Sequence, residues 1–202
     1  MDRKILLVGL GSFLLIGIVA VGSVLFGKPE SFRGTAYVEP YPPASEFALT
    51  RDNGTSFRLS EMRGSIVLLF FGYTSCPDVC PTTLAELNQA LEKLDEIDAG
   101  RVQVVFVTVD PERDTSERTQ EYVNHFNSSF VGLSGTEAEL SRVWNDYGVY
   151  REIVEGTSAA GYLVNHTARI TMIDGNGNLR VSFGFDAPVD DIVHDLKLAL
   201  KE

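Results

Sequence analysis

Apolar residues recur along this chain with different spacings, and each spacing predicts an element. "SIVLLFFGY" (65–73) and "VQVVFVTVD" (102–110) are short, nearly continuous apolar runs. Runs of that kind suit strands buried on both faces. Between them Leu84, Leu87, Leu91 and Leu94 return every three or four residues, which predicts an amphipathic helix over "TTLAELNQALEKLDEI". "TSERTQEYVNHF" predicts a second helix, capped by Thr115 or Ser116. "FVGLSG" reads as a short strand. "TEAELSRVWNDYG" reads as a helix opened by a Thr136–Glu139 capping box and closed at Gly148. "ARITMID" and "NLRVSFGF", joined by "GNG", predict a hairpin, and "PVDDIVHDLKLALK" a final helix started by Pro188. Upstream, "FALTRDNGTSFRLSEMRG" predicts a hairpin turning at Asp52, Asn53 and Gly54.

Strands alternating with helices imply parallel pairing, and the late hairpin adds antiparallel strands. The order β-α-β-α-β-β-α is an α/β, thioredoxin-like layout with extra N-terminal strands. It forms one domain over residues 45–202. Residues 27–44 are rich in Pro, Gly and Ser and read as a tether, with a short strand at Thr35 to Val38.

The remaining apolar run lies at the start. From Ile5 to Phe26 there are 22 residues without a charge. A helix of that length spans about 33 Å, enough for a bilayer core of about 30 Å. Arg3 and Lys4 precede it, so residues 1–4 are expected in the cytoplasm, 5–26 in the membrane, and the domain outside. "AVG" at Ala20 to Gly22 resembles a signal-peptidase site, but the apolar run is longer than a signal h-region and continues past it. An uncleaved anchor is therefore expected. No Arg- and Ser-rich transit peptide is present, so the expected location is the bacterial inner membrane, with the domain in the periplasm. The formal net charge of -11 and the lack of a Lys/Arg cluster argue against a nucleic-acid partner.

The chemistry concentrates in "FFGYTSCPDVCPTTLAEL", which holds both cysteines, Cys76 and Cys80. They sit where the first buried strand hands over to a helix. Pro81 belongs in a first helical turn, so Cys80 stands at the helix start and Cys76 in the loop before it. Free amides and the helix dipole lower a thiol's pKa there. The position suits redox chemistry and metal binding equally. At about 6 Å between Cα atoms the pair is within disulfide reach. A purely structural staple is poorly motivated, because so short a loop gains little entropy from closure. Of the three histidines, His125 and His194 read as surface or cap residues. His166, in "GYLVNHTARITMID", precedes a strand that should neighbour the first one, so its loop faces the cysteines. Two thiolates and one imidazole form a soft set suited to Cu(I). A histidine that only hydrogen-bonds within its own loop is the equal alternative.

"FFGYTSCPDVCPTTL", "VTVDPERDT" and "YLVNHTARITMID", in that order and spacing, resemble the Sco/SenC family over about residues 45–200. Those are membrane-anchored, thioredoxin-fold copper proteins of cytochrome c oxidase assembly. The resemblance implies that Cys76, Cys80 and His166 bind copper and that the thiol pair cycles between dithiol and disulfide. It implies a supporting or partner-facing role for Asp110. It names as partners oxidase subunit II, with its binuclear copper centre, and another periplasmic copper chaperone as donor. It makes the chain a metallochaperone rather than an enzyme, with a thiol–disulfide oxidoreductase acting on the subunit II cysteines as the alternative. Asn165 stands where similar proteins often carry Asp. A peroxidase of the peroxiredoxin type is disfavoured, since Thr74 is misplaced relative to Cys76 and no arginine is near in sequence.

Overall fold

A computed structural model of the chain describes residues 30–158 and 161–202. The expected cytoplasmic residues and membrane anchor lie outside the described residues. Among the described residues no helix is long and apolar enough to cross a membrane. The elements are β1 (Thr35–Ala36), β2 (Ala48–Thr50), β3 (Ser56–Arg58), a 3-10 turn (Leu59–Met62), β4 (Ile66–Gly72), α1 (Val79–Glu92), α2 (Glu96–Ala99) and β5 (Val102–Thr108). They continue with α3 (Ser116–Asn124), β6 (Val131–Leu133), α4 (Glu137–Asp146), β7 (Arg151–Ser158), β8 (Gly161–His166), β9 (Arg169–Ile173), β10 (Leu179–Gly184) and α5 (Val189–Ala199).

One six-stranded sheet, ordered β1-β10-β9-β4-β5-β6, organises the domain. β4 and β5 pair in parallel from Ile66↔Val102 to Gly72↔Thr108, so both end at the same edge. β9 joins β4 antiparallel through Val67↔Ile173 to Phe70↔Ile170. Every residue of β4 is buried, which means helices or loops cover both faces of that strand. Phe70 and Phe106 meet inside with ring centroids 5.9 Å apart. α1 packs on α5. α3 lies so close to β6 that a Cβ on Gly132 would stand 2.6 Å from the Thr119 backbone.

The capping box at Thr136 and Glu139 forms. α3 is capped by Thr115, whose side chain accepts from the Arg118 amide, and Pro188 caps α5 rather than entering it. Gly54 and Gly148 take φ of 77° and 64°, the left-handed values that their turns require. Two expectations change. The layout contains a further two-stranded sheet, β7–β8, inserted before β9. The expected tether is docked from Phe32 onward, since the compact unit runs Phe32–Glu202. The reason is Asp195, fully buried on α5. Its carboxylate accepts from the Arg33 amide at 2.8 and 3.0 Å and from the Gly34 amide at 2.9 Å. Those bonds lay β1 against β10, with Thr35 opposite Ser182.

Replacing Asp195 by Ala strands two backbone donors, which should lower stability by about 1–3 kcal/mol. Urea unfolding should show this loss, together with faster proteolysis near residues 32–38. Asp195→Asn, which keeps one acceptor, should lose less. An unchanged urea midpoint in Asp195→Ala would show that the segment is not held this way.

Candidate metal centre

β4 delivers the chain to the sheet edge at Gly72, and Cys76 follows after a turn closed by its amide on the Tyr73 carbonyl at 3.2 Å. Cys80 is the second residue of α1 and Pro81 the third, as the missing amide proton of proline requires. A Cβ at Gly72 would lie 2.8 Å from Cys80 Sγ and 2.7 Å from the Phe106 ring. Only glycine lets that sulfur rest on the strand's backbone. Cys80 is therefore fully buried while Cys76 is half-buried, and both are free thiols. The Cys80 amide points at Cys76 Sγ from 3.4 Å.

His166 is not in a loop. It is the last residue of β8, paired with Arg151 of β7. Its Nδ1 lies 3.2 Å from the Thr167 carbonyl oxygen. A carbonyl can only accept, so Nδ1 carries a proton, and in the neutral form of the ring Nε2 is the atom with the lone pair. Nε2 faces Cys80 Sγ at 3.7 Å. The Tyr73 ring meets the imidazole edge-on, with centroids 5.9 Å apart.

The donor set fits a soft metal. Bonds of about 2.3 Å to sulfur and 2.1 Å to nitrogen, the lengths zinc makes, set S and N about 3.8 Å apart in trigonal geometry. Nε2 and Cys80 Sγ already stand at that separation. Among the described residues no group of three or more His, Cys, Asp and Glu side chains is already placed to hold a metal ion. Cys76, Cys80 and His166 are instead an open array held by hydrogen bonds. Cys76 is lowered to about 4, mainly because the Cys80 thiol donates to it. Burial opposes that shift, while the backbone of Asp78 and Cys80 reinforces it. Cys80 is pushed far up by the same hydrogen bond and by burial. One negative charge thus resides on Cys76 and one proton on Cys80.

The turn after β5 supports both halves of this array. Asp110 is fully buried. It accepts from Tyr162 Oη at 2.7 Å and pairs with Arg113 Nε. A carboxylate so enclosed is turned inward and offers no surface to a partner protein. Asp114, also buried, accepts from the Thr74 amide at 2.9 Å and from the hydroxyls of Thr74 and Thr108 at 2.6 and 2.7 Å. It thereby fixes the loop that carries Cys76. Arg113, Asp114 and Tyr162 escaped the sequence reading. The "DPERDT" run that contains two of them was the available signal.

The other expectations are placed as follows. His125 Nδ1 bonds the Glu121 carbonyl at the end of α3, and His194 Nδ1 bonds Asp195. His125 is the cap residue expected, whereas His194 lies part-buried in the middle of α5. Asn165 is exposed on β8 directly opposite Glu152. An aspartate there would set like charges against each other. The fold brings an arginine distant in sequence to the cysteine loop. Arg118 Nε and Nη2 bond the hydroxyls of Thr74 and Ser75 at 2.9 and 3.1 Å. With those partners it is engaged by the loop's hydroxyls, not by a thiol.

The fold and site together define a thioredoxin-like domain with a dithiol–imidazole array at its sheet edge. The SCO1/SenC family profile matches residues 36–201, and the chain belongs to that family. It is 33% identical to an SCO2-like protein of Rickettsia felis over 189 residues, 91% of this chain and 92% of the other. Its structure resembles apo Sco1 of Thermus thermophilus with a TM-score of 0.76 and 40% identity, over 85% of this chain and 99% of that one. It also resembles Bradyrhizobium japonicum ScoI, solved with copper bound, with a TM-score of 0.70 and 37% identity over 78% and 99% of the two chains.

The shared proton makes Cys76 a thiolate at neutral pH. Below its pKa of about 4 it protonates and loses reactivity; above that value it stays ionised. Its alkylation rate should therefore be flat between about pH 6 and 8, whereas an ordinary thiol speeds up about tenfold per unit there. Mass mapping should place the label on Cys76 and spare buried Cys80. A tenfold rise per unit through neutrality would contradict the assignment.

Proposed function

We propose that this chain binds copper through Cys76, Cys80 and His166 and carries it in cytochrome c oxidase assembly. The observation that carries this reading is the imidazole. Its Thr167 bond leaves Nε2 of the neutral ring unprotonated, and Nε2 faces Cys80 Sγ at 3.7 Å. Support also comes from the copper found in the Bradyrhizobium japonicum relative. Cu(I) suits two thiolates and an imidazole.

Loading releases the proton held by Cys80, and the metal's positive charge replaces it as the partner of the Cys76 thiolate. Cys76 is half-buried, so it is the ligand that an incoming thiolate reaches first. The copper can then leave by stepwise ligand exchange. The recipient in this reading is the binuclear copper centre of oxidase subunit II, and the donor another periplasmic copper chaperone. The helix expected over residues 5–26 anchors the domain in the bacterial inner membrane, facing the periplasm. Tethering raises the local concentration of carrier near a membrane-bound recipient.

One observation favours a second reading. A half-buried thiolate at Cys76, backed by a buried protonated thiol at Cys80, is also the arrangement of a dithiol reductant. In that role the chain would reduce the subunit II cysteines.

The purified domain should bind one Cu(I), lose it on oxidation to the disulfide and regain it on reduction. His166→Ala should weaken Cu(I) binding without unfolding the domain. His166 takes no part in thiol exchange, so cells carrying His166→Ala separate the two readings. A carrier fails to support oxidase assembly at limiting copper, while a reductant supports it normally. Full oxidase activity in that strain would overturn the carrier reading. Separately, a reporter fused after Glu202 should be active only outside the cytoplasm. Activity inside it would overturn the anchored, exported topology.

A further inference from the structure

His166 is carried by a hairpin whose strands pair with no strand of the six-stranded sheet. Its aim therefore depends on what joins the hairpin to the domain. Arg113 touches three parts of this arrangement. Its Nε pairs with Asp110 on the turn after β5. Its Nη1 donates to the Tyr162 carbonyl at 2.9 Å. Its guanidinium lies 3.7 Å from the Tyr162 ring centroid and 5.7 Å from that of Tyr73. Tyr162 is four residues before His166 on the same strand, so the two share a face. Tyr73 precedes Cys76 by three residues and also packs edge-on against His166.

We propose that Arg113 is the positioning residue for His166, holding β8 so that Nε2 points at the Cys80 sulfur. One planar cation ties the hairpin, the turn after β5 and the loop leading to Cys76. Lysine cannot replace it, because a point charge has neither the fork that bonds Asp110 and the Tyr162 carbonyl together nor the flat face that stacks on the ring. Arg151 independently ties β7 to the Val109 carbonyl at 2.5 Å. Loss of Arg113 therefore re-aims the hairpin rather than releasing it.

The role rests on the copper-binding reading, and the experiment separates the two. Cu(I) affinity is measured by chelator competition for the wild type, Arg113→Ala, His166→Ala and the double variant. Arg113→Ala should weaken binding about 10- to 100-fold, the usual cost of losing a residue that orients a ligand. In the His166→Ala background the same change should have no further effect. An equal loss in both backgrounds would mean a general structural role and would overturn the proposal. The second readout needs no metal. Long-range nitrogen–proton NMR should show one Nδ1–H tautomer for His166 in the wild type and a mixture in Arg113→Ala. An unchanged ring spectrum would also overturn the proposal. If His166→Ala binds Cu(I) as tightly as the wild type, the copper reading fails and the ring spectrum alone decides the role of Arg113. Arg113→Lys keeps the charge should Arg113→Ala not fold, and it should show the same tautomer mixing.

Discussion

Everything at the site depends on a short turn that follows β5. One donor sits just before a helix, one in its first turn, and the third at the end of a separate hairpin, 86 residues after Cys80. Nothing local can bring them together. The turn does so with two buried carboxylates that face opposite ways. Asp114 holds Thr74 and so the cysteine loop. Asp110, through Tyr162 and Arg113, holds the histidine hairpin. Each carboxylate is fully enclosed or nearly so, a position that is tolerable only because its oxygens are bonded. Breaking either set would leave a buried charge uncompensated.

The parallel register of β4 and β5 makes this turn available. Because Gly72 pairs with Thr108, the cysteine loop and the turn leave the sheet at one level. The Val109 amide bonding the Gly72 carbonyl at 2.7 Å extends that level by one residue. Gly72 then admits the Cys80 sulfur against the backbone, and Phe106 closes the space behind it. A buried neutral thiol beside a half-buried thiolate follows from that packing. Burial disfavours charge on Cys80, and its proton stabilises the charge on Cys76.

The sequence revealed the regular parts because their patterns are local. The leucine period of α1, the apolar runs of β4 and β5 and the Thr136–Glu139 capping box all needed only near neighbours. The β7–β8 hairpin did not announce itself. "REIVEGTS" carries two glutamates and a glycine, and most of the residues described along it are exposed, so no apolar alternation marks it. His166 was found as a ligand candidate but placed in a loop for that reason. The docking of residues from Phe32 onward was hidden because its cause, Asp195, lies 162 residues away from Arg33. Asp110 was visible as a residue of interest, but its inward orientation, and the roles of Arg113, Asp114 and Tyr162, exist only in the assembled fold. That Glu152 stands across from Asn165 is likewise visible only in the assembled hairpin.

The proposed metal site draws three donors from two separate pieces of chain. X-ray absorption at the copper edge of the Cu(I)-loaded domain tests it most directly. The account predicts two sulfur ligands and one imidazole nitrogen in a three-coordinate shell, the nitrogen being lost in His166→Ala. A shell of sulfur alone in the wild type, unchanged by that substitution, would contradict it.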